Sequence, residues 1–283
     1  MSGEPLRTGG AGFSDAVTIS WADAERGWYG MARLGVADGA GSALAVLFRG
    51  REVVDVLAEG SLAVEGSNWS ALAIGPLRTT VAEPHERWTV TWDDHFELEL
   101  EAVSAPVDRA GDMEGYEQLL RVHGTALGEE VDGLGQRGRG WGVADWSSLS
   151  LVRTVSAWLG AERGGIVAES RQREGAAGHD DEALWAALVK SGEPVRVHEP
   201  RLSTTYDGDG HQRRAGLELW MTEDDDAFPV RAAGEVICGS SLDLGALRLD
   251  LAFFRWHSEG AEGVGRYDVL RKAHAGAGSR AEP

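Results

Sequence analysis

The sequence predicts an all-β protein of antiparallel strands arranged as sandwiches or barrels. Three observations point there. Short segments with alternating apolar residues recur about every 8–12 residues, turn signals separate them, and the long helices that a parallel sheet needs between strands are missing. The clearest segment is Phe96-Glu97-Leu98-Glu99-Leu100-Glu101-Ala102. Its strict alternation puts Phe96, Leu98, Leu100 and Ala102 on one face and three carboxylates on the other, as a half-buried strand requires. The glutamates read as a solvated face rather than a metal cluster.

In chain order, strands are expected over 16–21, 28–36, 42–48, 52–58, 69–74, 77–81 and 87–92, then the Phe96 strand. Further strands are expected over 116–127, 149–159, 165–171, 196–205, 213–221, 230–238, 246–256 and 265–270. Asp38-Gly39, Asp132-Gly133, Asp207-Gly208-Asp209-Gly210 and Ser258-Glu259-Gly260 supply the turns between them. One short helix is expected over 180–190, with acids Asp180 and Asp181 in its first turn and Leu184, Ala187 and Leu188 on one face. The polar stretch 108–112 marks a boundary between an N-terminal β domain, 13–114, and a C-terminal β domain, 115–273. No residue-level repeat relates the two.

Composition narrows the function. The 283 residues carry 27 Lys+Arg against 46 Asp+Glu, a formal net charge of −19. So acidic a chain excludes nucleic acid or an anionic bilayer as the main partner, since both demand a basic face. No apolar run approaches a membrane span or a signal peptide, so a soluble, cytoplasmic protein is expected. Cys238, the one cysteine, forbids an internal disulfide and reads as a small buried hydrophobe. Eleven Trp and 39 Gly are the unusual entries, and most of the indoles are expected in the core.

Standard catalytic signatures are absent, and the histidines show no metal-ligand spacing. The informative segment is Gly133-Leu134-Gly135-Gln136-Arg137-Gly138-Arg139-Gly140-Trp141-Gly142-Val143-Ala144-Asp145-Trp146. It contains a Gly-x-Gly-x-x-Gly match, but no helix follows to hold a pyrophosphate. Its glycines strip one face of side chains, so something bulky must approach the backbone there. Two arginines, two tryptophans and an aspartate remain beside it.

This segment resembles the Gly-x-Gly-x-Arg-Asp-His-Ser-Trp-Gly-x-Arg-Asp-Trp signature of the carotenoid hydratase (hydroxyneurosporene synthase)/AttH-like superfamily, whose relatives include decalin-forming Diels–Alderases. The hairpin over 87–102 and the closing Phe253-Phe254-Arg255-Trp256-His257-Ser258-Glu259-Gly260 agree with it. The resemblance implies two lipocalin-like barrels side by side around an apolar cavity for a terpenoid, polyene or polyketide-type ligand. Arg137, Trp141, Gly142, Asp145 and Trp146 keep the pattern, whereas Gly138-Arg139-Gly140 replaces the family's Asp-His-Ser. The family histidine belongs to the set assigned to protonation, and an arginine in its place cannot cycle a proton at neutral pH. Strand parity adds His123 and Glu218 as candidate lumen residues, with register open to inversion.

The expected function is therefore a cofactor-free cyclase or isomerase acting on a hydrophobic small molecule in a barrel cavity, with no metal. Arg139, Asp145, His123 and Glu218 are the candidate catalytic residues. Arg137, Trp141, Trp146, Trp220 and Trp256 are the candidate substrate contacts. A non-catalytic carrier and a hydratase remain the alternatives, and the oligomeric state is open.

Overall fold

The computed structural model describes residues 4–109, 113–162, 164–176, 182–223 and 228–273. Among these residues the regular structure is entirely β. The first run of strands comprises β1 (Phe13–Asp23), β2 (Trp28–Ala37), β3 (Ala40–Arg49), β4 (Glu52–Leu62), β5 (Val64–Asn68), β6 (Ala71–Ile74) and β7 (Leu77–Glu83). There follow β8 (Arg87–Trp92), β9 (Phe96–Ala102), β10 (Val107–Asp108), β11 (Glu114–Ala126) and β12 (Glu129–Val143). The second run is β13 (Leu149–Trp158), β14 (Gly165–Arg173), β15 (Glu182–Lys190), β16 (Glu193–Arg196) and β17 (Glu199–Tyr206). It closes with β18 (Gln212–Trp220), β19 (Val230–Asp243), β20 (Leu247–Ser258) and β21 (Ala261–Lys272).

Two antiparallel sheets result. The first has the order β4-β3-β2-β1-β12-β11-β9-β8-β7-β6-β5, with β10 beside β11, and curls into a nearly closed barrel. The second, β16-β15-β14-β13-β21-β20-β19-β18-β17, forms a half-barrel. Both follow one plan: four strands lead outward, the chain crosses to the far edge, and a meander returns until its last strand pairs with its first. That pairing is β1 with β12 and β13 with β21. The halves repeat in topology without repeating in sequence. The change of sheet falls between Val143 and Leu149. It does not fall at the polar stretch 108–112, because β10 and β11 on either side of that stretch pair with each other.

The period-2 alternation of strands sorts the apolar residues into three cores. One fills the first barrel, with Val17, Ile19, Trp21, Leu98 and Leu120 pointing inward. Another fills the half-barrel, around Phe254, Trp256 and Tyr267. The third lies between the sheets and joins Met31, Val46 and Phe48 to Trp158, Leu251 and Phe253.

The helix expected over 180–190 is instead strand β15, paired with β14 and β16. Ala187 and Val189 enter the core between the sheets, while Ala186 and Leu188 enter the half-barrel core. A strand buried on both faces has a continuous apolar run, and such a run mimics helical spacing by chance. Asp180 and Asp181 lie outside the described residues.

Abundant tryptophan and abundant glycine have a common cause. Trp21 and Gly30 are cross-strand partners, and a Cβ at Gly30 would meet the indole at 2.5 Å. Trp256 and Gly234 repeat the arrangement in the second sheet, with 2.8 Å to the ring. An indole laid over the neighbouring strand needs the partner position bare. Gly30→Val is therefore expected to lower stability by about 1–3 kcal/mol through overpacking, read as a shift in the urea midpoint with an unchanged slope.

Candidate functional site

A cavity of about 330 Å³ lies between the two sheets, at the lower end of the range for small-molecule sites. Its floor is the outer face of the first sheet. There the cross-strand row Glu117, Gly138, Thr18, Arg33 runs over β11, β12, β1 and β2. Its roof is the outer face of the second sheet, where Glu169, Thr154 and Asp268 form a row over β14, β13 and β21. Apolar walls come from Met31, Leu44, Leu149, Leu247, Leu249 and Leu270.

The glycines of β12 open this space. Gly138 faces Glu117, whose carboxylate lies so close that a Cβ would meet Oε2 at 2.2 Å. Gly140 likewise lies under Arg109, with 2.9 Å from a Cβ to Nη1. The bulky groups received by the bare face are thus a carboxylate and a guanidinium of the same chain.

Those groups belong to a buried ionic cluster that bridges the sheets. Arg109 pairs with Glu169 across the interface and lies 3.7 Å from Glu117. Glu169 also takes Arg171 Nε at 2.7 Å, and Arg266 Nε lies 3.0 Å from Asp268 Oδ2. Gln136 Nε2 donates to Glu117 at 2.7 Å. Burial pushes the Glu117 carboxyl above the ordinary range, against the pull of Arg109 and Gln136. Burial likewise raises Asp268 to about 6, against Arg266 and assisted by the charge of Glu117. Asp268 Oδ1 is buried without a hydrogen-bond partner. Two carboxyls, one on each sheet, are thus harder to ionise than ordinary carboxyls.

The residues singled out from sequence fall into separate groups instead of one site: Arg137 and Arg139 share Glu4, Asp145 and Trp146 border the cavity, and His123, Glu218, Trp220 and Trp256 lie elsewhere. Arg137 and Arg139 alternate with Gly138 and Gly140 and so face the interior of the first barrel. Arg137 Nη2 lies 2.6 Å from Glu4, its guanidinium stacks 4.8 Å over Trp88, and it donates to the Tyr116 hydroxyl. Arg139 binds Asp15 through Nε at 3.1 Å and Nη2 at 2.7 Å, and donates to the Pro5 carbonyl at 2.6 Å. The N-terminal segment thus plugs the barrel with Glu4, and β1 supplies the second acid, Asp15. Glu4 would rise by burial, but Arg137 and the Trp88 indole N–H hold it below the ordinary range.

Asp145 and Trp146 border the cavity at its exposed rim. Asp145 accepts from Ser147 N at 3.2 Å instead of orienting either arginine. Trp141 donates to Glu114 at 2.9 Å and carries Arg7 on its ring at 3.7 Å. His123 pairs with Asp132 across the exposed β11–β12 hairpin at 3.2 Å, and Glu218 pairs with Arg231 at 3.2 Å on the surface. Trp220 lies at the end of β18 beside Arg201, and Trp256 is fully buried in the half-barrel core. Cys238 is buried, which pushes its thiol up to about 12 and leaves it inert.

For a metal, one group among the described residues gathers three ligand atoms within 4.8 Å: Asp207, Asp209 and His211. It is a turn between β17 and β18, in which Asp207 Oδ1 already accepts the backbone N–H groups of Asp209 at 3.1 Å and His211 at 2.9 Å.

Glu117, Asp268, Glu169, Arg109 and Arg33 went unmarked by the sequence reasoning. Arg266-Tyr267-Asp268-Val269 alternates like any half-exposed strand, with its charges on the side that reads as solvent. Only the second layer of sheet turns that side inward.

The fold recurs in solved structures. The AttH-like protein NE1406 from Nitrosomonas europaea superposes with a TM-score of 0.66 at 11% identity, over 93% of both chains. Kievitone hydratase from Nectria haematococca gives 0.64 at 10% identity, over 92% of this chain and 89% of that one. The architecture is therefore the lipocalin-like fold that these two structures share. No curated protein matches in sequence. The model of DUF7064, a domain of unknown function, matches residues 5–273.

The Glu4 plug yields a prediction of its own. Glu4→Gln leaves Arg137 buried beside a neutral group and is expected to cost about 3–5 kcal/mol of stability at neutral pH. Because the Glu4 carboxyl is depressed in the folded state, its contribution is present above about pH 4.5 and lost as pH falls through the folded value. Thermal unfolding of the variant between pH 3 and 7 should accordingly show a shallower acid slope.

Proposed function

This chain belongs to the DUF7064 family, and we propose that it catalyses proton transfer on a lipophilic, unsaturated small molecule held between its two sheets. The carrying observation is the pair Glu117 and Asp268: two carboxyls in one cavity, both made harder to ionise by burial, facing apolar walls. An acid whose pKa lies near 6 is roughly one-tenth protonated at pH 7, close to the optimum for general acid work.

The chemistry balances without further parts. The Asp268 carboxyl gives its proton to one carbon of a double bond, a C–H bond forms, and positive charge develops on the neighbouring carbon. Proton loss from an adjacent carbon to a carboxylate completes an isomerisation. Attack by a second double bond before that loss completes a cyclisation. The carboxylate left on Asp268 stabilises the developing charge, and the apolar walls exclude competing nucleophiles. The terpenoid, polyene and polyketide classes all offer such double bonds.

Hydration is the second reading, and one observation favours it over the remaining carrier reading. The cavity holds an acid that the sequence motif lacks, so losing the family histidine to Arg139 does not remove protonation. Water then takes the place of the second double bond and returns its proton to the carboxylate.

Incubation of the protein with a panel of terpenoid and polyene alcohols and acids in deuterated water tests the proposal. Carbon-bound deuterium in recovered material is expected, and heavy-oxygen water separates hydration from isomerisation. Ligand returned unlabelled throughout the panel refutes the catalytic reading and leaves a carrier. Asp268→Asn is expected to slow label incorporation by about 10²–10⁴-fold. With Asp268 as the acid, the rate should fall as pH rises above about 6. The folded-state pKa of Asp268 lies above its ordinary value, so folding binds an extra proton and stability falls as pH rises from about 4 to 6. That slope should flatten in Asp268→Asn.

A further inference from the structure

The cavity floor carries a second cross-strand row, Gly35, Ala16 and Gly140, on β2, β1 and β12. Arg33 lies over Gly35, where a Cβ would come within 2.8 Å of its Nη1, as Arg109 lies over Gly140. Two guanidiniums are therefore parked at the ends of a floor whose middle is one methyl group. At about 4.8 Å per strand their backbone seats stand about 10 Å apart.

Their charge balance differs. Arg109 is matched by Glu169, and Arg266 by Asp268. The Arg33 guanidinium makes no ion pair and no hydrogen bond within the described residues, although it lines the cavity. Burial, and the neighbouring Arg109 cation, push the Arg33 guanidinium below the ordinary arginine range. Buried charge is ordinarily paired, and an unmatched guanidinium on a cavity wall lacks an anion.

We propose that Arg33, aided by Arg109 across the Gly35–Ala16–Gly140 floor, is the receptor for the carboxylate head of an otherwise lipophilic ligand. The planar fork of a guanidinium matches the two carboxylate oxygens. Glu117 lies in the same row as Arg33 at three strand spacings, about 14 Å across the sheet. A head group at Arg33 thus sends the tail over Ala16 and Thr18 toward the acid pair. The substrate class is an unsaturated carboxylic acid whose reacting double bond is several bonds removed from its carboxylate. This assignment rests on the lipophilic cavity of the proposed function and adds the head group to it.

Calorimetric titration of the full chain with decanoate and with decan-1-ol tests it, the two probes sharing a tail and differing in the head. Decanoate is expected to bind about ten- to a hundredfold more tightly, the worth of hydrogen bonds to a charged group. Arg33→Met should abolish that preference while leaving decan-1-ol binding, and Arg33→Lys should restore part of it. Equal binding of both probes by the unsubstituted protein overturns the carboxylate receptor and spares the lipophilic cavity. Arg33→Met keeping the preference overturns it in the same way. If neither probe binds, the cavity reading falls as well. The comparison on the unsubstituted protein decides even where Arg33→Met does not fold.

Discussion

Charge carried out of water between two sheets must find its match there, and the cavity of this protein is organised by that constraint. Desolvating a carboxylate or a guanidinium costs several kcal/mol unless partners replace the lost water. Arg109 and Glu169 meet the requirement by bridging the sheets, and Arg171 completes the bridge from the second sheet. Glu117 and Asp268 meet it less fully, and burial raises the pKa of both. Arg33 is left unmatched, and it is there that a ligand has the most to gain.

A contrasting network lies on the other face of the same strand. Arg137 and Arg139 are matched one for one by Glu4 and Asp15, with indole N–H groups from Trp88 and Trp69 filling the remaining carboxylate positions. This network is sealed inside the barrel by the N-terminal segment. Eight of the eleven tryptophans are buried, and those within the first barrel fill the lumen that a lipocalin would keep for its ligand. The open space lies instead in the seam between the barrel and the half-barrel. Alternation along β12 separates the two roles, odd positions supplying structural arginines and even positions the bare floor.

Much of the fold was legible. Period-2 alternation and turn residues located most strands because a strand with one solvated face writes its burial directly into the sequence. The failure at Glu182–Lys190 has the same root, since burial on both faces erases the alternation. The glycine segment of β12 was rightly marked as bordering something bulky, although its arginines, the eye-catching members, point away from the cavity. Glu117 and Asp268 were not legible, because a charged residue on the polar face of a strand reads identically whether water or a second sheet covers it.

The residues by themselves determined strand content, antiparallel pairing and the bareness of one face at Gly138 and Gly140, all consequences of local sterics and nearest-neighbour patterning. Tertiary structure alone decided which polar faces lose their water, hence which carboxyls are harder to ionise and which guanidinium stands unmatched. Desolvation is set by what packs on top of a strand, and strands more than a hundred residues apart in the chain supply that cover.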